Sequence, residues 1–286
     1  MKIIDSHVHF WDLSQNMNSW VLKENNPALT KNYLPQNLIS LFKDNLDGVL
    51  HVEAHDSNIS TFKEIEWLSQ IIKGTPNLKY AHIAYLDITL PNQDFVTMLK
   101  ELKKYPQLVG VRHILSYNPK FHYSPCDFDL SNHKNIPKNI ESLASHDLIF
   151  NCQMYPYQLE NILPVIASSK VKCVIDHMAL PAWNKYEDED YILWHNLIEK
   201  LIDYDTISLK LSRMDNFKDE TEFNNILKFC FTNIPITKLI YASNYPVSYT
   251  DNYNYWFEYL SNMKLSDNEK NYLFYKNAFN LFFNKI

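Results

Sequence analysis

Apolar positions along the chain follow two periods. Short runs of alternating or near-continuous apolar character occur at 3–12 (IIDSHVHFWD), 47–55 (DGVLHVEAH), 78–87 (LKYAHIAYLD) and 107–115 (QLVGVRHIL). Four more follow at 146–155 (HDLIFNCQMY), 171–179 (VKCVIDHMA), 206–214 (TISLKLSRM) and 237–245 (TKLIYASNY), and each of the eight reads as a strand. The intervening segments have helical spacing. Residues 60–73 carry Phe62, Ile65, Leu68 and Ile72 on one stripe, with Ser60 at the N-cap and Gly74 at the stop. The last segment opens with Ser266 and Glu269 at capping-box spacing and runs through Leu273, Ala278 and Leu281, which predicts a closing helix. Eight buried strands alternating with helices over 286 residues predict the α/β class and a (β/α)8 barrel spanning residues 1–286 as a single domain. The chain has no internal repeat, low-complexity tract or linker.

In such a barrel, chemistry gathers at the C-terminal ends of the strands. The polar residues at those ends are His7, His9, Glu53, Asp87, Arg112, His113, Gln153, His177, Lys210 and Asn244. In the first strand a period of two places Asp5, His7 and His9 on one face, with Ile4, Ser6 and Val8 on the other. Two imidazoles aimed at one point suit a metal ion or a proton-transfer site, and equally a hydrogen-bonded structural pair. Residues 10–34, with Trp11, Trp20 and Tyr33, fall on the same face. So do residues 115–136, with Tyr117, Phe121, His122 and Tyr123, a mixture suited to covering a polar-headed small ligand.

Composition narrows the partner. The net charge of -6 is spread without long runs, so a small-molecule substrate is expected rather than a nucleic acid or a membrane surface, and oligomeric state is left open. Only Gly48, Gly74 and Gly110 are glycines, which removes the glycine-rich nucleotide cradles and the G-x-S-x-G serine-hydrolase turn. Cys126, Cys152, Cys173 and Cys230 are far apart and no secretory leader precedes Asp5, which points to the reducing cytoplasm. No apolar run reaches the ~18 residues that span a bilayer.

The strings IIDSHVHFWDL, HVEAH, GVRHIL, VIDHMALP, LKLS and YASNYPVS, in that order and followed by YKNAFNLF, resemble the amidohydrolase-related TIM-barrel hydrolases. The likeness is to the branch of sugar-lactone and 2-pyrone-4,6-dicarboxylate lactonases. It covers nearly the whole chain, but no single motif identifies a substrate. The resemblance implies a hydrolase that opens a small polar lactone by water attack at the barrel mouth. It implies that His7, His9 and His177 either hold a divalent metal, zinc or manganese, or form a metal-free cluster around the water. By the same resemblance Arg112 anchors the substrate, and Gln153, Tyr155 and Lys210 line its pocket, to which His113 at the end of its strand and Trp20 in the covering loop are added as substrate-binding candidates. Many relatives have aspartate where this chain has Asn244, although some members of the branch carry SN there. Asparagine cannot act as a base at neutral pH, but its amide oxygen can orient a water. The catalytic set implied is therefore His177, Asn244 and Glu53, with the proton going to His177 or Glu53. Two competing readings are a metal-dependent decarboxylase of the same superfamily and a non-catalytic binding barrel whose Asn244 marks lost chemistry.

Overall fold

The computed structural model describes residues 1–24, 26–56, 58–119, 126–181, 189–213 and 220–284. Phe121, His122 and Tyr123 lie outside the described residues. The eight strands are β1 (Ile3–Val8), β2 (Leu46–Val52), β3 (Lys79–Tyr85), β4 (Leu108–Ile114), β5 (Ile149–Gln153), β6 (Cys173–Ile175), β7 (Ile207–Leu211) and β8 (Leu239–Tyr241). They pair in parallel in chain order. The sheet closes on itself just past β8. There the Asn244 N–H donates to the His7 carbonyl at 2.9 Å and the His9 N–H donates to the Tyr245 carbonyl at 2.7 Å. The chain is a (β/α)8 barrel, as its alternating pattern predicts.

Inside the barrel, Ile4, Leu50, Val52, Ala81, Ile83, Ile149, Val174 and Ile240 form one apolar cluster. These residues come from six different strands, and side chains from opposite strands meet only across the interior. Ala278, Phe282 and Phe283 of the C-terminal helical segment join the cluster. Ser266 caps that segment through the predicted box, its hydroxyl accepting from the Glu269 N–H. Ser60, by contrast, precedes the helix Thr61–Ile71 without a side-chain cap, and a short 3-10 turn extends that helix to Gly74.

Two expectations about the strands need correction. Ile4 does not lie on the face opposite His7 and His9, because it belongs to the interior cluster and both imidazoles also point inward. A three-residue step can keep one face only where alternation breaks, and the β1–β2 register is irregular between Asp5 and Val8. β6 ends at Ile175 rather than continuing to residue 179. From His177 to Leu180 every φ is positive, between 51° and 63°, in a left-handed turn that contains no glycine.

The aromatic loop expected over the mouth is packed where it is described. The backbones of Trp11 and Tyr33 exchange hydrogen bonds of 2.9 and 2.8 Å, and both side chains are buried. The Tyr33 ring packs edge-on against Tyr245, beyond β8. No helix among the described residues is long and apolar enough to cross a membrane.

Candidate active site

Above the apolar layer, the inward-facing positions of the strands become polar. β4 contributes Arg112, β5 Asn151 and Gln153, and β7 Lys210, while Asp176 follows β6 directly, and all of them are buried. Asp176 lies at the centre. Its Oδ1 is 2.9 Å from Lys210 Nζ and 3.2 Å from His7 Nδ1. Its Oδ2 accepts from Asn151 Nδ2 at 2.6 Å and from Arg112 Nη1 at 3.2 Å. Burial alone would raise the Asp176 carboxyl, but the charge of Lys210, the hydrogen bond from His7 and the charge of Arg112 outweigh it and hold the group well below the usual carboxylate range. The same burial pulls Lys210 down to about 8, partly offset by Asp176.

Arg112 ties this centre to Glu53. Its Nε donates to Glu53 Oε1 at 2.8 Å, its Nη2 to the Glu53 carbonyl at 3.1 Å, and its Nη1 also reaches Gln153 Oε1 at 3.0 Å. Two acidic and two basic side chains thus balance inside the barrel, so removing one partner would leave an uncompensated buried charge at a cost of about 3–5 kcal/mol. Four of the five guanidinium protons are directed at protein acceptors, which leaves one for a ligand.

The histidines sit on this charged layer. The His7 ring is flanked by His9 and His177, with ring centroids 4.9 and 4.8 Å away. His9 Nδ1 donates to the Val52 carbonyl at 2.8 Å, so the lone pair is on Nε2, which faces His7 Nε2 at 3.2 Å. His7 Nδ1 has two neighbours, Asp176 Oδ1 and, at 3.3 Å, Lys210 Nζ. If the Nδ1 proton is given to Asp176, two lone pairs meet at Nε2 and a cation belongs between them. If Lys210 donates to Nδ1, the ring proton moves to Nε2 and the two rings share an ordinary hydrogen bond. The 3.2 Å separation suits the first state as well, because two ligands with bonds of about 2.0–2.1 Å to one tetrahedral zinc lie about 3.3–3.4 Å apart. His7, Asp176 and His177 offer ligand atoms within 4.8 Å of one another. That group, which does not include His9, could hold a metal ion, and so could the facing Nε2 pair of His7 and His9.

Burial sets the protonation of these rings. It pushes His7 and His177 well below the ordinary histidine range, and His9 down to about 3, with the Arg112 charge adding to the effect. All three are neutral imidazoles at neutral pH, the form that ligates. His177 Nδ1 is fixed by Ser212 Oγ at 2.7 Å. Asn244, in the left-handed region at φ 59°, lies beside His9 and donates to Ser248 Oγ at 2.8 Å. Asp5 secures the seam below, its Oδ1 accepting from the Ser243 and His7 N–H groups, and burial raises its carboxyl to about 6.

The structure thus brings together His7, His9, His177, Asn244, Glu53, Arg112, Gln153 and Lys210. Tyr155 is buried two residues beyond Gln153, at the start of the helix Pro156–Ser169. Trp20 packs edge-on against Trp11 and donates from Nε1 to the Ala54 carbonyl at 2.6 Å. His113 does not join the group, because alternation along β4 that turns Arg112 inward turns it outward, with its Nδ1 3.3 Å from Asp87 Oδ1. Sequence reasoning gave no role to Asp176, Asn151, Ser212 or Ser248. Asp176 had a signal, since it stands two positions after the inward Val174.

A family model described as amidohydrolase matches residues 4–283. A protein of Sinorhizobium fredii, named only as uncharacterized protein y4mH, is 22% identical over 262 residues, 86% of each chain. Among solved structures, an amidohydrolase from Burkholderia multivorans with bound zinc is 18% identical and aligns over 99% of both chains with a TM-score of 0.77. A probable 2-pyrone-4,6-dicarboxylic acid hydrolase from Acinetobacter baumannii with citric acid bound is 19% identical, again over 99% of both chains, with a TM-score of 0.73. At these identities the structural likeness speaks for the barrel, while the family match runs through every strand that carries the polar layer. The chain belongs to the amidohydrolase family.

Proposed function

We propose that this amidohydrolase opens a small polar lactone, of a sugar acid or a carboxylated ring, with a zinc or manganese ion held by His7, His9 and His177. The observation that carries the reading is the pair of facing Nε2 atoms at 3.2 Å, set over the anchored Asp176 at the barrel mouth. The bound zinc and the pyrone-dicarboxylate hydrolase name among similar structures support it. When bound, such an ion polarises a ring carbonyl and lowers the pKa of its water.

In this reading the rest of the chemistry comes from side chains. The charges of Lys210 and Arg112 are balanced by Asp176 and Glu53, so a substrate carboxylate or the oxyanion formed at its carbonyl is met by the one Arg112 N–H without a protein acceptor. Arg112 gives the substrate a single N–H rather than a fork. Asn244, held by Ser248 and standing beside His9, positions the water. With His177 engaged by the ion and by Ser212, the water's proton passes to Glu53.

The test is proton release on a panel of aldono-lactones and carboxylated lactones or pyrones, with chelator and with zinc or manganese restored. Ring opening that is lost with chelator and returns with metal supports the proposal. Carbon dioxide release without ring opening would replace it with a decarboxylase. A ligand-induced thermal shift without product would replace it with a binding barrel.

A further inference from the structure

A second set of titratable side chains lies on the other side of the barrel wall. Leu50, Val52, Ala81 and Ile83 take the interior positions of β2 and β3, so alternation sends His51 and His82 outward, where they are register partners. From the helix Thr61–Ile71, Glu64 reaches the same place. His51, Glu64 and His82 are all buried and offer ligand atoms within 4.8 Å of one another. The Nδ1 atoms of His51 and His82 are 3.2 Å apart.

Two of these imidazoles each commit one ring nitrogen to a main-chain carbonyl. His51 Nε2 donates to the Phe10 carbonyl at 3.4 Å, so the His51 lone pair is on Nδ1. Neighbouring His55 donates from Nδ1 to the Asp56 carbonyl at 2.8 Å, so its lone pair is on Nε2. That Nε2 lies 3.9 Å from Glu64 Oε2, and neither atom has a hydrogen-bond partner among the described residues. His82 Nε2 is also buried without one. Glu64 Oε1 is already engaged, accepting from the Ala54 N–H at 2.8 Å. His82 Nδ1 can donate to His51 Nδ1, but His55 Nε2, Glu64 Oε2 and His82 Nε2 are buried polar atoms without a partner among the described residues, which is costly unless a cation lies among them. Imidazoles whose far nitrogens donate to main-chain carbonyls are arranged as metal-binding histidines are.

We propose that His51, Glu64 and His82, completed by His55, hold a structural divalent ion between β2, β3 and the helix Thr61–Ile71. Nitrogen and carboxylate donors in fours suit zinc. The ion would brace β2, whose Val52 carbonyl orients His9. This site has its own ligands, so it stands or falls independently of the one at the mouth.

The test is metal content and cobalt substitution in the His7→Ala/His9→Ala variant, which lacks the mouth pair and keeps the second cluster. The expected result is about one zinc per chain, and visible bands of tetrahedral cobalt after exchange. Adding Glu64→Gln, which retains an acceptor for the Ala54 N–H, should remove both signals while the near-ultraviolet circular dichroism is kept. Zinc below about a tenth of an equivalent in the double variant, or zinc and cobalt signals untouched by Glu64→Gln, overturns the proposal. Should Glu64→Gln fail to fold, the cobalt spectrum of the double variant decides, with octahedral or absent bands counting against the site.

Discussion

At the scale of single residues, the mouth depends on partners that fix which nitrogen of each imidazole carries the proton. Val52 does this for His9 through its carbonyl, and Ser212 holds His177 by Nδ1. In metal sites such outer partners typically contribute a factor of about 10 to 100 in affinity or activity. Ser212→Ala is therefore expected to weaken metal binding by about that factor while leaving the melting temperature nearly unchanged, which a competition titration against a chelator would measure. Asn244 already occupies the left-handed region, which aspartate also tolerates, so Asn244→Asp should fold normally and add a carboxylate beside His9.

At the scale of elements, the turn after β6 does what a regular strand could not. Alternation sends Val174 and then Asp176 inward, and the left-handed run from His177 brings the next side chain to the same site. A left-handed residue other than glycine costs about 1–2 kcal/mol, and such strain is typical of functional segments. Ala179→Gly removes that penalty at φ 63° and loses one methyl, against about 0.4–1 kcal/mol of added freedom in the unfolded chain. Losing the fully buried methyl costs about 0.8 kcal/mol more, so the terms nearly cancel and the melting temperature should stay within about 3 °C of the parent, whereas a larger fall would show that the turn is not strained. This turn also marks the limit of what the sequence discloses. Strand number, their order and the polar strand ends were legible, because period and burial are local signals. The break in alternation within β1, the end of β6 at Ile175 and the outward turn of His113 were not, because each depends on register with a neighbouring strand. Asp176 went unassigned for the same reason, since its role appears only when Lys210, Arg112 and His7 are brought around it.

At the scale of the molecule, the barrel encloses many groups that water would otherwise ionise. His51 and His82 are neutral in the fold, His82 pushed down to about 3 by burial and His51 well below the ordinary range by burial and by its neighbour His82. The unfolded chain gains their protons below about pH 6.5 while the folded one does not, so stability is complete above that value and is lost as pH falls toward 3. Each contributes about 1.4 kcal/mol per pH unit in that window, or about 3 kcal/mol per unit for the pair in metal-stripped protein. Urea midpoints should drop steeply between about pH 6.5 and 5, and a flat profile there would contradict the neutral burial of these rings.

The most direct test of the central claim is the rate of lactone opening by His177→Ala against the parent at equal zinc loading. His177 stands at the start of the strained turn, held by Ser212 and facing His7, with no structural charge to balance. The account predicts a fall of at least about 10²-fold in turnover with the fold retained, the scale expected when a proton-transfer or metal-binding group is lost. Full activity in His177→Ala would contradict it.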